Sequence, residues 1–68
     1  MTMTDRQRER VAAARRAGMD VMYAENSGKR YETWTYSDGQ RVAMRPFYTL
    51  EGLQGYATHH CFAIVYVD

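Results

Sequence analysis

The chain reads as a small α+β domain: an N-terminal helix, then an antiparallel sheet of about four strands, with a short helical turn before the last strand. Three observations lead there. A capping box at Thr4 opens an Arg- and Ala-rich segment, residues 30–45 spell a β-hairpin, and residues 56–67 form the most apolar stretch of the chain.

Thr4-Asp5-Arg6-Gln7 places a hydroxyl at the helix start and an amide side chain three residues later, so each satisfies a backbone N–H of the other's residue. Good helix formers follow through Ala17, and Gly18 is the residue suited to the left-handed position past the end. Arg15 and Arg16 sit at the negative end of the helix dipole. Gln7, Val11, Ala14 and Gly18 share one stripe, so the helix offers the rest of the fold a slim contact made of small residues. Asp5 with Arg8 and Arg6 with Glu9 are opposite charges at helical spacing, as on a solvated face.

Met19 to Ala24 reads as a first strand, closed by the turn-forming Glu25-Asn26-Ser27-Gly28-Lys29. In the hairpin, Ser37-Asp38-Gly39 suits a three-residue loop with glycine in a bulge. That loop sets Tyr36 opposite Gln40 and Trp34 opposite Val42, so Trp34, Tyr36, Val42 and Met44 would face the core. Tyr31, Thr33, Thr35, Arg41 and Arg45 would then form the outer face. Pro46 cannot donate to a ladder, so the third strand ends there or runs along an edge.

Thr49 can cap a short turn over residues 50–55, weakened by Gly52 and Gly55. The last strand, read from Tyr56 to Val67, is apolar on both faces and calls for cover on both. One slim helix covers one face. The other is left to residues 49–55 or to another chain.

With 68 residues there is room for one domain, 1–68, with residues 1–3 expected to be flexible. So short a chain buries only about 60% of its unfolded surface, and small domains of this kind usually need a staple or a partner subunit. Cys61 is the single cysteine, which rules out an intrachain disulfide and makes a homodimer the natural expectation. The polar first ten residues lack the apolar run of a signal peptide or membrane span, so a cytoplasmic protein with no membrane partner is expected.

Formal net charge is +1, with a sequence pI near 7.9, below that of a dedicated nucleic-acid domain. The charge is uneven: residues 1–18 carry five arginines against Asp5 and Glu9, a net of +3. His59-His60-Cys61 has none of the spacings of a metal site, and Cys61 beside Phe62 reads as a small hydrophobe. No metal, cofactor or catalytic residue is therefore expected. A small ribonuclease would draw on Glu32, His59, His60, Arg41, Arg45 and Tyr31, and an RNA or single-stranded nucleic-acid binder would stack bases on Tyr31. Tyrosine beside arginine is equally the composition of a protein-interface hot spot. The expectation is a protein partner, bound through Tyr31, Thr33, Thr35, Arg41, Arg45, Arg15 and Arg16. Short length and missing motifs suit a phage-type inhibitor that occludes a site on a larger intracellular protein.

Overall fold

The computed structural model describes residues 3–67. In chain order it contains α1 (Asp5–Arg16), β1 (Asp20–Asn26), β2 (Tyr31–Ser37), β3 (Gln40–Ala43), α2 (Leu50–His59) and β4 (Phe62–Val67). The α+β class agrees with the sequence. The sheet is mixed rather than antiparallel: its order is β3-β2-β1-β4, with β4 parallel to β1 and the other neighbours antiparallel. The reason is the crossover. β3 runs in the direction of β1, and α2 carries the chain from that edge to the far one, where β4 resumes the same direction.

The capping box forms as expected. The Thr4 hydroxyl accepts from the Gln7 N–H at 3.1 Å and the Gln7 Oε1 accepts from the Thr4 N–H at 2.9 Å. Gly18, at φ +73°, turns the chain out of the helix. The apolar contact of α1 is indeed slim, with Val11 and Ala14 its buried residues, and the helix lies across β1 and β4. Asp5 and Arg8 approach to 3.9 Å, whereas Arg6 and Glu9 make no ion pair.

The hairpin differs from expectation by one residue. Asp38 at φ +52° and Gly39 at φ +77° form a two-residue turn of the type that matches strand twist, in place of a three-residue loop. Ser37 therefore faces Gln40, Tyr36 faces Arg41, Thr35 faces Val42 and Trp34 faces Ala43. Because side chains alternate, this one-residue shift turns every β3 side chain to the opposite face. Arg41 joins the Trp34 face; Val42 and Met44 join the face of Thr33 and Thr35.

The other correction is at the carboxyl end. The short turn is a full helix, α2, which takes in Tyr56 to His59, and β4 starts only at Phe62. Thr49 caps it by accepting from the Gly52 N–H at 3.0 Å, and Leu53 and Ala57 bury its inner face. That burial outweighs the two glycines, since tertiary packing supplies most helix stability. Cys61 ends it at φ +59°, a position where glycine is the usual resident.

Both faces of the sheet are covered within the chain. On one side Val11 of α1 packs on Tyr23, Trp34, Val65 and Val67; on the other Leu53 and Ala57 of α2 pack on Met22, Ala24, Phe47 and Ile64. The second layer expected from the two-sided apolar strand is thus α2, and no second chain is needed to supply it. Met3, grouped by the sequence with a flexible start, packs against the Trp34 cluster; Met1 and Thr2 lie outside the described residues.

Candidate interaction surface

The two edges of the sheet are treated differently. In a strand, each residue's N–H and C=O point to the same side, so the groups of Ile64 and Tyr66 that do not meet β1 point outward along β4. The helix reaches over and occupies them: Gln7 Nε2 donates to the Tyr66 carbonyl at 2.9 Å, and Arg10 Nε donates to the Ile64 carbonyl. Gln7 thereby locks its own helix start and the β4 edge with one amide. Side chains that hold edge carbonyls keep another strand from pairing there. A groove of about 540 Å³ runs beside this edge between α1 and α2, and the Ile64 and Tyr66 carbonyls that border it are held by the helix.

Among the described residues the β3 edge carries no such cover. Met44 N–H donates to the Thr33 carbonyl at 2.9 Å, which makes Thr33–Met44 a hydrogen-bonded pair and, by alternation, leaves the N–H and C=O of Arg41 and Ala43 pointing outward. All four β3 residues are exposed. Beyond Ala43 the edge is blunted by a bulge: between the Thr33–Met44 and Tyr31–Phe47 pairs, Glu32 stands alone in β2 while Arg45 and Pro46 occupy the opposite strand. The Thr33 hydroxyl fills the gap by donating to the Arg45 carbonyl at 2.7 Å. Pro46 therefore sits where no ladder N–H is required.

Large side chains surround the open edge. Tyr36 and Val42 are each 46% exposed, on opposite faces of the hairpin. The Arg41 guanidinium lies 3.8 Å from the centroid of the Trp34 ring, and Trp34 itself is only 2% exposed. Tyr23 stacks on Trp34 at 6.0 Å and meets Tyr36 edge-on at 5.3 Å, so an aromatic row runs under the hairpin and α1. Two hollows flank it, of about 520 and 380 Å³, and both are lined by Arg15 and Tyr23. Arg8 and Arg16 line the first; Tyr36 and Asp20 line the second.

The seven residues singled out by sequence do not form one surface. Arg41, Arg15 and Arg16 are exposed on the α1 side. Tyr31, Thr33 and Thr35 lie on the α2 side: Tyr31 packs against the core, Thr33 is 4% exposed, and the Thr35 hydroxyl donates to the Val21 carbonyl at 3.1 Å. Arg45 leaves the hairpin plane and stands 5.3 Å from the Phe47 ring centroid. The sequence missed Val42 and Ala43 as edge residues and Tyr36 as their exposed neighbour on β2, although Asp38-Gly39 is itself the dipeptide of a two-residue turn.

Groups with chemical potential stand apart. His59 and His60 sit at the end of α2, their rings 4.9 Å apart, with His60 at 4.3 Å from Tyr56. Cys61 is exposed beside them, in a turn rather than on the strand face expected. Among the described residues no three His, Cys, Asp or Glu side chains converge. Glu32 is on the α1 side, next to Glu25 across the strand pair, and binds Arg30 at 2.9 Å. The exposed Arg30 guanidinium is held above its ordinary value, chiefly by the Tyr48 hydroxyl and then by Glu32; it is charged at every working pH, so no pH dependence follows.

These features define a small α+β domain with a mixed four-stranded sheet, its β4 edge held at two carbonyls by α1 and its β3 edge open. Comparison with protein-family models, with curated proteins and with solved structures finds no match to the chain. Among the described residues no helix is long and apolar enough to cross a membrane.

Proposed function

We propose that this chain is a non-enzymatic protein-binding module, an inhibitor of phage type that occludes a site on a larger intracellular protein, and that its contact element is the β2–β3 hairpin. The observation that carries this reading is the contrast between edges: Gln7 and Arg10 occupy the outward Ile64 and Tyr66 carbonyls of β4, while the outward groups of Arg41 and Ala43 have no partner among the described residues. An open edge with exposed apolar and aromatic neighbours is the geometry by which an extended segment of another protein adds a strand. Tyr36, Val42 and Arg41 supply the residue types that anchor such contacts.

Nucleic acid fits the same surface less well. Base stacking needs open ring faces. Here Arg41 covers Trp34 and the core takes Tyr31, which leaves Tyr36 as the exposed ring of this surface. The feature favouring nucleic acid is the basic α1, with Arg6, Arg8, Arg10, Arg15 and Arg16. A steep fall of oligonucleotide affinity with added salt would support that second reading. A homodimer is a further proposal, with β3 pairing to β3 of a second copy; light scattering that gives a mass of one chain at millimolar concentration removes it.

The test of the main reading is retrieval of partners from a native lysate by wild type, Arg41→Glu and Ala43→Pro. Proline at 43 removes an outward N–H and leaves the Thr35–Val42 and Thr33–Met44 bonds intact. Both variants are expected to fold and to lose the partner. Equal recovery by all three removes the hairpin from the interface.

A further inference from the structure

We propose that Trp34 and Arg41 form a receptor for a carboxylate, and that the segment docking on β3 is an extended acidic strand of the partner protein. This rests on the reading of β3 as the docking edge and names the chemistry of what docks there.

The first observation is an orphan. Trp34 Nε1 is buried and has no hydrogen-bond partner among the described residues. Buried donors are almost always satisfied, and one left unpaired costs the desolvation of its N–H. The second is what lies above it. The Arg41 guanidinium sits against the same ring, 3.8 Å from its centroid, and makes no ion pair among the described residues. A guanidinium that spends one face on an indole keeps its in-plane N–H donors for something else.

The third observation is register. Arg41 and Ala43 are the β3 residues with outward backbone groups, and both side chains lie on the Trp34 face. A strand paired to this edge sets one of its own side chains beside Arg41 on that face. The local charge selects the chemistry of that side chain. Arg15, Arg8 and Arg16 rim the neighbouring hollows with Asp20; of the two glutamates on the same face, Glu25 and Glu32, Glu32 is already paired with Arg30, so the arginines outnumber the free carboxylates. An indole N–H donates in the plane of its ring, so a carboxylate that takes both donors sits at the rim of the Trp34–Arg41 stack, accepting from the guanidinium fork and from the indole N–H at that edge. Two donors that have no acceptor among the described residues then share one.

The chain has a single tryptophan, so its indole N–H gives one resonance in a nitrogen-correlated NMR spectrum. The probes are three: a peptide of alternating Glu and Val, its Gln and Val counterpart, and a single-stranded oligonucleotide, each titrated to millimolar concentration at low salt. The Glu peptide is expected to move the backbone amides of Arg41 and Ala43 together with the indole resonance, and to bind about tenfold more tightly than the Gln peptide. Arg41→Gln is expected to erase that tenfold preference, and Trp34→Phe, which keeps a packed ring but no N–H, to reduce it. If both peptides move the Arg41 and Ala43 amides at equal concentration with the indole resonance still, the carboxylate receptor is refuted while the docking edge stands. If no peptide moves those amides, the edge fails and the receptor with it. An oligonucleotide that moves the indole resonance at lower concentration than the Glu peptide refutes the acidic strand in favour of phosphate.

Discussion

Replacing the exposed Cys61 by glycine is expected to stabilise the protein, against the usual direction of a point substitution. Cys61 follows the C-cap of α2 at φ +59°, and its amide donates to the Thr58 carbonyl at 3.3 Å. A residue with a Cβ in this left-handed region is strained by about 1–2 kcal/mol, and glycine is not. Against that, glycine loses about 0.5–1 kcal/mol more conformational entropy on folding. The side chain is exposed, so no burial is lost. The balance is a gain of about 0.5–1 kcal/mol, which for a domain of this size raises Tm by about 2–8 °C. Thermal and urea unfolding under reducing conditions measure it, with Cys61→Ala as the control that removes the thiol and keeps the strain. A glycine variant that melts at or below the alanine variant would show that the end of α2 is not strained, and the argument from φ would fail.

Gln7→Ala should cost about 1–2 kcal/mol, since one amide both completes the capping box and holds the Tyr66 carbonyl; Arg6→Ala, on the exposed side of the same helix, should change stability by less than about 0.5 kcal/mol. Paired urea titrations separate the two. Leu53→Ala empties a fully buried site under α2 and should cost about 2–5 kcal/mol, a large part of the roughly 3–10 kcal/mol a domain of this length commands, so circular dichroism is expected to show a substantially unfolded population at 37 °C. Gly39→Ala meets no atom within 4 Å of the added methyl, so any loss is conformational; by the same balance of strain against chain entropy it should be about 0.5–1 kcal/mol at φ +77°, and an unchanged Tm would refute the two-residue turn.

Where local chemistry decides the structure, the sequence was readable. Thr4 and Gln7 form their box, Gly18 ends α1, Thr49 caps α2, and Pro46 follows an edge strand, because each depends on groups within a few residues of one another. The helical extent of residues 56–59 was hidden for the opposite reason. Tyr56-Ala57-Thr58-His59 has no strong helical preference, and Cys61 occupies the position where glycine would have announced the end. What holds those residues helical is Leu53 and Ala57 against Met22, Ala24 and Ile64, partners distant in sequence.

The candidate site divides along the same line. Arg41 and its neighbours could be named from composition, but which face they occupy depends on the turn at Asp38-Gly39, and a shift of one residue reverses the answer. By itself the sequence determined the class of fold, the position of α1 and the presence of the hairpin, since propensity, capping and alternation are local. Tertiary structure decided that β4 runs parallel to β1, that α2 covers the second face, and that Gln7 and Arg10 close one edge while β3 stays open. Those outcomes depend on which distant groups meet, and satisfying backbone hydrogen bonds and burying apolar faces are properties of the assembled chain.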